Sequence, residues 1–127
     1  MRIALISLLL LLAGCHEDLA AAIGSQDLRL AVYRPGYPIK NKTVAANSLQ
    51  ALELKNWAAQ NDAGWTPSYI DYVPSYVVNG RKFSLNISET KAVLMLDSHQ
   101  YEKEISSDSF NWLKQRVFGV TDNPLVK

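Results

Sequence analysis

Cysteine is almost absent from this chain: 127 residues contain one, Cys15. A single thiol excludes an intrachain disulfide and a multi-cysteine zinc site. Histidine is nearly as scarce. His16 and His99 are the only two, and they stand 83 positions apart, a poor ligand set for a metal. No glycine-rich phosphate loop occurs, and the acidic residues show no calcium-loop spacing. No cofactor or metal is therefore expected. An excess of one charge is missing as well. Thirteen Lys and Arg stand against twelve Asp and Glu, and the longest basic run is Arg81-Lys82. That balance gives no electrostatic footprint for nucleic acid and no polybasic membrane patch.

The one sustained apolar run lies at the front. Met1-Arg2 is a short positive start, Ile3 to Leu12 is apolar apart from Ser7, and Ala13-Gly14 is a small-residue exit. That order reads as a secretory signal. It is too short to cross a bilayer comfortably, which takes about 20 residues. The ending Leu12-Ala13-Gly14-Cys15 resembles the lipobox of bacterial lipoproteins. The resemblance covers about the first 15 residues. It implies that residues 1–14 are a cleaved signal peptide and that the Cys15 sulfur carries a diacylglycerol. The partner it implies is a membrane of the bacterial envelope. In that family an Asp after the cysteine retains the protein at the inner membrane. Residue 16 is His, which implies the outer membrane, facing the periplasm.

Arg2 leaves with the signal, so the mature chain is expected to carry 12 basic and 12 acidic residues. With Cys15 acylated, no thiolate nucleophile remains, and the domain must be held by packing alone. The expected organisation is a lipidated tether over 15–26, one domain over 27–120 and a loose tail over 121–127. Leu19-Ala20-Ala21-Ala22-Ile23 allows one helical turn within a mobile tether.

Within the domain, Leu28, Leu30 and Val32 alternate with Asp27, Arg29 and Ala31, the period of a half-buried strand. Pro35-Gly36 ends it, and residues 40–43 read as loop. Residues 44–60 have helical composition, with Asn47 or Ser48 as the cap of a shorter helix. Asn79-Gly80 between Tyr76-Val77-Val78 and Arg81–Ile87 is the strongest hairpin signal. A two-residue loop there pairs Val78 with Arg81 and Tyr76 with Phe83. One face then carries Tyr76, Val78, Phe83, Leu85 and Ile87, and the other Val77, Lys82, Ser84 and Asn86. Residues 92–96 and 101–105 predict a second hairpin, turned at 97–100. A final helix follows Ser106 or Ser107, with Phe110, Leu113 and Val117 as its buried stripe and Trp112 against a sheet edge. The pattern predicts an α+β domain, an antiparallel four- to five-stranded sheet with two helices packed on one face. An extra strand over 69–73 stays open.

No constellation supports catalysis, and an enzyme is not expected. Asp97-Ser98-His99 is adjacent in sequence on a turn, whereas a triad converges in space. Glu102 and Glu104 share one side of a strand, about 7 Å apart by the strand rise. That spacing suits an inverting glycosidase, yet such a pair needs a cleft and one raised pKa. The segment 64–76 is more informative, with Trp65, Tyr69, Tyr72 and Tyr76 in close succession. Tyr and Trp are over-represented where proteins bind. Strand parity assigns Tyr76 to the core, leaving Trp65, Tyr69 and Tyr72 as binding candidates, with Trp65 and Tyr69 expected to be exposed. The expected function is a non-catalytic protein-binding envelope module: an inhibitor, an immunity-type factor or a complex subunit. The alternatives are a cell-wall glycan binder stacking sugars on Trp65 and the tyrosines, and, further off, a hydrolase.

Overall fold

The computed structural model describes residues 18–34 and 37–120. The expectations for the signal peptide, Cys15, His16 and the tail 121–127 lie outside those residues. In chain order the elements are α1 (Asp18–Ile23), β1 (Leu28–Arg34), β2 (Tyr37–Val44), α2 (Leu49–Gln60) and β3 (Thr66–Pro67), then β4 (Tyr76–Asn79), β5 (Phe83–Ile87), β6 (Lys91–Leu96), β7 (His99–Glu104) and α3 (Ser107–Arg116). The strands form one seven-stranded antiparallel sheet in the order β2-β1-β4-β5-β6-β7-β3. The class is α+β, as expected, with more strands and one more helix than the sequence pattern indicated.

Paired residues share a face, so the register assigns every side chain to one side of the sheet. Leu28, Leu30, Val32, Val78, Phe83, Leu85, Ile87, Ala92, Leu94 and Leu96 lie on one side. They join Leu19 and Ile23 of α1, Ala51, Leu54, Trp57 and Ala58 of α2, and Leu113 of α3 in a single apolar cluster. The helices therefore cover one face. Tyr76 sits at its margin, edge-on to Phe110 and Phe118 at 5.6 and 5.3 Å.

The central hairpin turns two residues later than Asn79-Gly80. Val78 pairs with Leu85 and Tyr76 with Ile87, while the Gly80 amide donates to the Phe83 carbonyl at 3.0 Å. Arg81 and Lys82 thus form the tip. Glycine is required at position 80 for a different reason than positive φ: a Cβ there would meet the Phe83 ring at 2.3 Å. The shift is even, so parity is preserved and the predicted core face stands. The β6–β7 turn is the tight one. Asp97 and Ser98 have φ of 50° and 67°, and Leu96 pairs with His99, a two-residue turn of the primed kind.

Two other expectations are corrected. Residues 40–43 are not loop but part of β2, which pairs with β1 from Val44 opposite Leu28 onward. Lys40, Asn41, Lys42 and Thr43 are all exposed. An edge strand that carries lysines shows no apolar alternation, so the sequence signal was absent. Val44 consequently ends a strand, and α2 starts at Leu49, with the Ser48 hydroxyl accepting from the Ala51 amide at 3.2 Å. The extra strand left open over 69–73 does not form, and that segment is irregular. Trp112 stands beside the end of α2, lining a cavity with Trp57.

The last correction concerns residues 18–26. The sequence pattern places them in a mobile tether, but α1 is part of the core: Leu19 is 2% exposed and Ile23 1%. Their spacing of four puts both on one helix face. Gln26 then fixes the helix to the β4–β5 turn. Its side-chain amide donates to the Ala22 carbonyl, and its oxygen accepts from the Arg81 amide at 2.7 Å. Ile23→Ala is expected to cost about 2–5 kcal/mol, the range for emptying a well-packed aliphatic site. Equilibrium urea unfolding measures it. A mobile tether would show no loss.

Candidate functional site

The open face of the sheet carries one row across five strands: Ala31, Val77, Asn86, Val93 and Glu102, continued by Thr66 of β3. Ala31, Val77, Asn86 and Val93 are all buried even though the helices lie on the other side. Their cover is the chain between β3 and β4. β3 pairs with β7 at one edge, whereas β4 lies between β1 and β5. Residues 68–75 must therefore cross the open face, and they do so as a strap.

Each end of the strap is fixed. At the β7 end, the Ser68 amide donates to the Gln100 carbonyl at 2.9 Å. The Gln100 side-chain amide donates to the Ser68 hydroxyl oxygen at 3.1 Å and the Ile70 carbonyl at 2.8 Å. At the β4 end, the Ser75 amide donates to Asn86 Oδ1 at 2.8 Å, and its carbonyl accepts from the Tyr33 amide at 2.8 Å. Asn86 is only 2% exposed, so its carbonyl oxygen is committed to this contact and not to water.

Between the fixed ends the apolar side chains point outward. Tyr69 is 94% exposed, Val73 70% and Ile70 40%. Tyr72 is partly buried and Asp71 exposed. The other large apolar side chains exposed among the described residues are Leu49 and Leu52 on α2. Of the sequence candidates, Tyr69 and Tyr72 therefore lie on the strap. Trp65 does not, and the expectation that it is exposed is wrong. Its ring is buried, stands edge-on to Trp57 at 6.5 Å, and donates Nε1–H to the Asn61 carbonyl at 2.7 Å. Pro67 does not interrupt pairing, since it stands opposite Tyr101 in β3, and the Trp65 indole turns back onto the end of α2. Ile70 and Val73 were missed. No periodicity marks an irregular crossing, so nothing in the sequence separated them from core residues.

The catalytic candidates do not assemble. His99 Nδ1 lies 2.9 Å from the backbone oxygen of Asp97, not from its carboxylate, and no hydrogen bond joins Ser98 to His99 among the described residues. Glu102 and Glu104 line a shallow cavity of about 400 Å3 with Gly64, Thr66 and Lys103. Glu102 is bound by the Lys91 ammonium at 2.9 Å and by the Ser68 hydroxyl. Those contacts, Lys91 first, hold its pKa below the ordinary carboxylate value. A glycosidase acid needs the opposite shift.

The Lys91–Glu102 pair gives the fold a pH dependence with a definite sign. A carboxyl whose folded pKa is lowered stabilises the fold above its unfolded pKa and loses that contribution as pH falls through the folded value. Glu102→Gln is expected to lower the thermal midpoint at neutral pH, with the gap to wild type closing in acid. A gap that persists below the carboxylate range would assign the effect to shape and not to charge. Compared with known proteins, the chain matches no family model, no curated protein and no solved structure, so the role of these side chains rests on their geometry.

Proposed function

We propose that the protein is a non-catalytic protein-binding module of the bacterial envelope, anchored by lipid on Cys15, with the strap as its partner-facing surface. The observation that carries this reading is the exposure of Tyr69, Ile70 and Val73 within one short segment whose ends are hydrogen-bonded to the sheet. Large apolar side chains clustered on a surface mark interaction sites more often than singly scattered ones. A segment held at both ends also loses little entropy when a partner docks. Tyr69 supplies a rigid ring with a polar tip, the type of side chain that anchors interfaces.

The roles that fit are an inhibitor, an immunity-type factor or a subunit of an envelope complex. Under the lipobox reading the domain faces the periplasm from the outer membrane. A glycan platform built on Trp65 has lost its main residue, because that ring is buried against Trp57.

Two measurements test the reading. Cells fed labelled palmitate should label the wild-type protein and not Cys15→Ala; label on the alanine variant, or none on wild type, removes the anchor. Separately, Tyr69→Ala and Val73→Asp should each weaken capture of a stoichiometric envelope protein about tenfold, the effect of a moderate interface anchor. The same variants should keep the wild-type unfolding midpoint, because exposed positions tolerate change within about 0.5 kcal/mol. Trp65→Ala, by contrast, should cost about 3–5 kcal/mol of stability. Undiminished capture by both strap variants would exclude the strap as the docking surface.

A further inference from the structure

Away from the strap, α2 carries two large apolar side chains in the open, Leu49 at 66% exposure and Leu52 at 45%. They begin a stripe. Leu49, Leu52, Asn56 and Ala59 follow at steps of three and four, the spacing of one helix face, and all four are exposed. None is charged. The opposite face, with Ala51, Leu54, Trp57 and Ala58, is buried in the core. Glu53 and Lys55, the only charged residues of the helix, flank the stripe and are partly buried. A helix on the surface of a globular domain ordinarily turns charge toward water. We propose that this stripe rests on a lipid bilayer, so that the helix layer faces the membrane and the strap points away from it.

The position of the anchor selects the occupant, and the inference rests in this sense on the proposed acylation of Cys15. Cys15 precedes Asp18, the first residue of α1, by three positions. At no more than about 3.5 Å per residue, the acylated sulfur lies within roughly 10 Å of that helix. α1 packs against α2, and the sheet separates both from the strap. The membrane is thus held at the helix side. Ala21, exposed on α1, adds to the uncharged surface of the same layer.

The strand that leads into α2 supplies charge of the right sign. Register places Lys42 opposite Leu30 and Lys40 opposite Val32, so both lysines emerge on the helix-bearing side, at the edge of the sheet, and both are exposed. A lysine stem lies along apolar surface while its ammonium reaches the phosphates at headgroup level. Two leucines alone would hold a domain on lipid weakly. With the acyl chains inserted they need only orient it, because the second contact then forms at high effective concentration.

The strap is the competing apolar surface, and it suits lipid less well. Asp71 stands exposed between Ile70 and Val73, and no basic residue occurs over 68–75. A bilayer on that side would bring the carboxylate to the headgroup phosphates, like charge against like. It would also stand across the sheet from the helix that follows the anchor. With the helix layer down, Tyr69, Ile70 and Val73 stay open to a protein partner.

With Cys15 acylated, an introduced cysteine is the only free thiol, so a nitroxide can be placed at one site. Leu52→Cys, Asn56→Cys and Tyr69→Cys all change exposed side chains and should leave the fold intact. Each labelled full chain would be reconstituted on vesicles of phosphatidylethanolamine and phosphatidylglycerol. Power saturation with oxygen and a nickel chelate then reads the depth of the label. Labels at positions 52 and 56 are expected about 5–10 Å into the headgroup–acyl boundary, the depth of an interfacial helix face, with the label at 69 in water. Lys40→Glu together with Lys42→Glu should move the labels at 52 and 56 toward water. The proposal is overturned if those labels are as open to the nickel chelate as the one at 69. Dipolar broadening between labels at 52 on separate chains would also overturn it, by giving the stripe to a second copy. The chain without an introduced cysteine should take no nitroxide. Label on Cys15 itself removes the anchor and this inference with it, whereas a blocked Cys15 with a water-exposed stripe overturns the orientation alone.

Discussion

A hydrogen bond from the Ser75 amide to the Asn86 side-chain oxygen, 2.8 Å long, fastens the one segment that crosses the open face of the sheet. Asn86 lies on β5, in the middle of the strand order, and its neighbours in the same row are Val77 and Val93. Without the crossing, those two valines and Ala31 would face water, and the sheet would be a single-sided layer. With it, β5 is buried on both sides by different means: a helix layer on one, eight residues of irregular chain on the other. A buried amide is costly when unmatched, so Asn86 also selects against any path of the strap that leaves its oxygen unbonded. Gln100 plays the matching part at the far end, where one side-chain amide reaches both Ser68 and Ile70.

How much of this was legible depends on the kind of signal each residue gives. The faces of β4 and β5 were readable because alternation survives an even register shift. Tyr76, Val78, Leu85 and Ile87 were placed on the right side although their partners were misassigned. The turn itself was misread because Asn-Gly is a strong local signal, while the deciding contact is tertiary: the Phe83 ring lying over Gly80. β2 was invisible because its exposed polar residues have no period. α1 was misread for the opposite reason. A short alanine-rich stretch beside a run that reads as a secretion signal looks like spacer, and only the core that receives Leu19 and Ile23 makes it an element.

The candidate site was legible in part. Aromatic density drew attention to residues 64–76, and Tyr69 is exposed there, but composition cannot tell which ring turns inward. Trp65 turned inward because α2 offers an acceptor, the Asn61 carbonyl, at the height of its N–H. That arrangement has a counterpart. Two indoles of the same cluster meet edge to face, and the nitrogen of only one finds a partner within the described fold. The residues that line the cavity beside Trp57 come from α2, its C-cap and α3, far apart in sequence, so no motif search could have joined them.

The burial of α1 also fixes how far the domain can stand from whatever holds its front end. Residue 15 precedes Leu19 by four positions, and an extended chain covers at most about 3.5 Å per residue, roughly 14 Å in all. Under the proposed acylation, that short reach keeps the fold close to the bilayer surface. A partner floating deep in the periplasmic space would have to come to the membrane to be met. One already embedded in or resting on that membrane is met at the high local concentration that confinement to a surface provides.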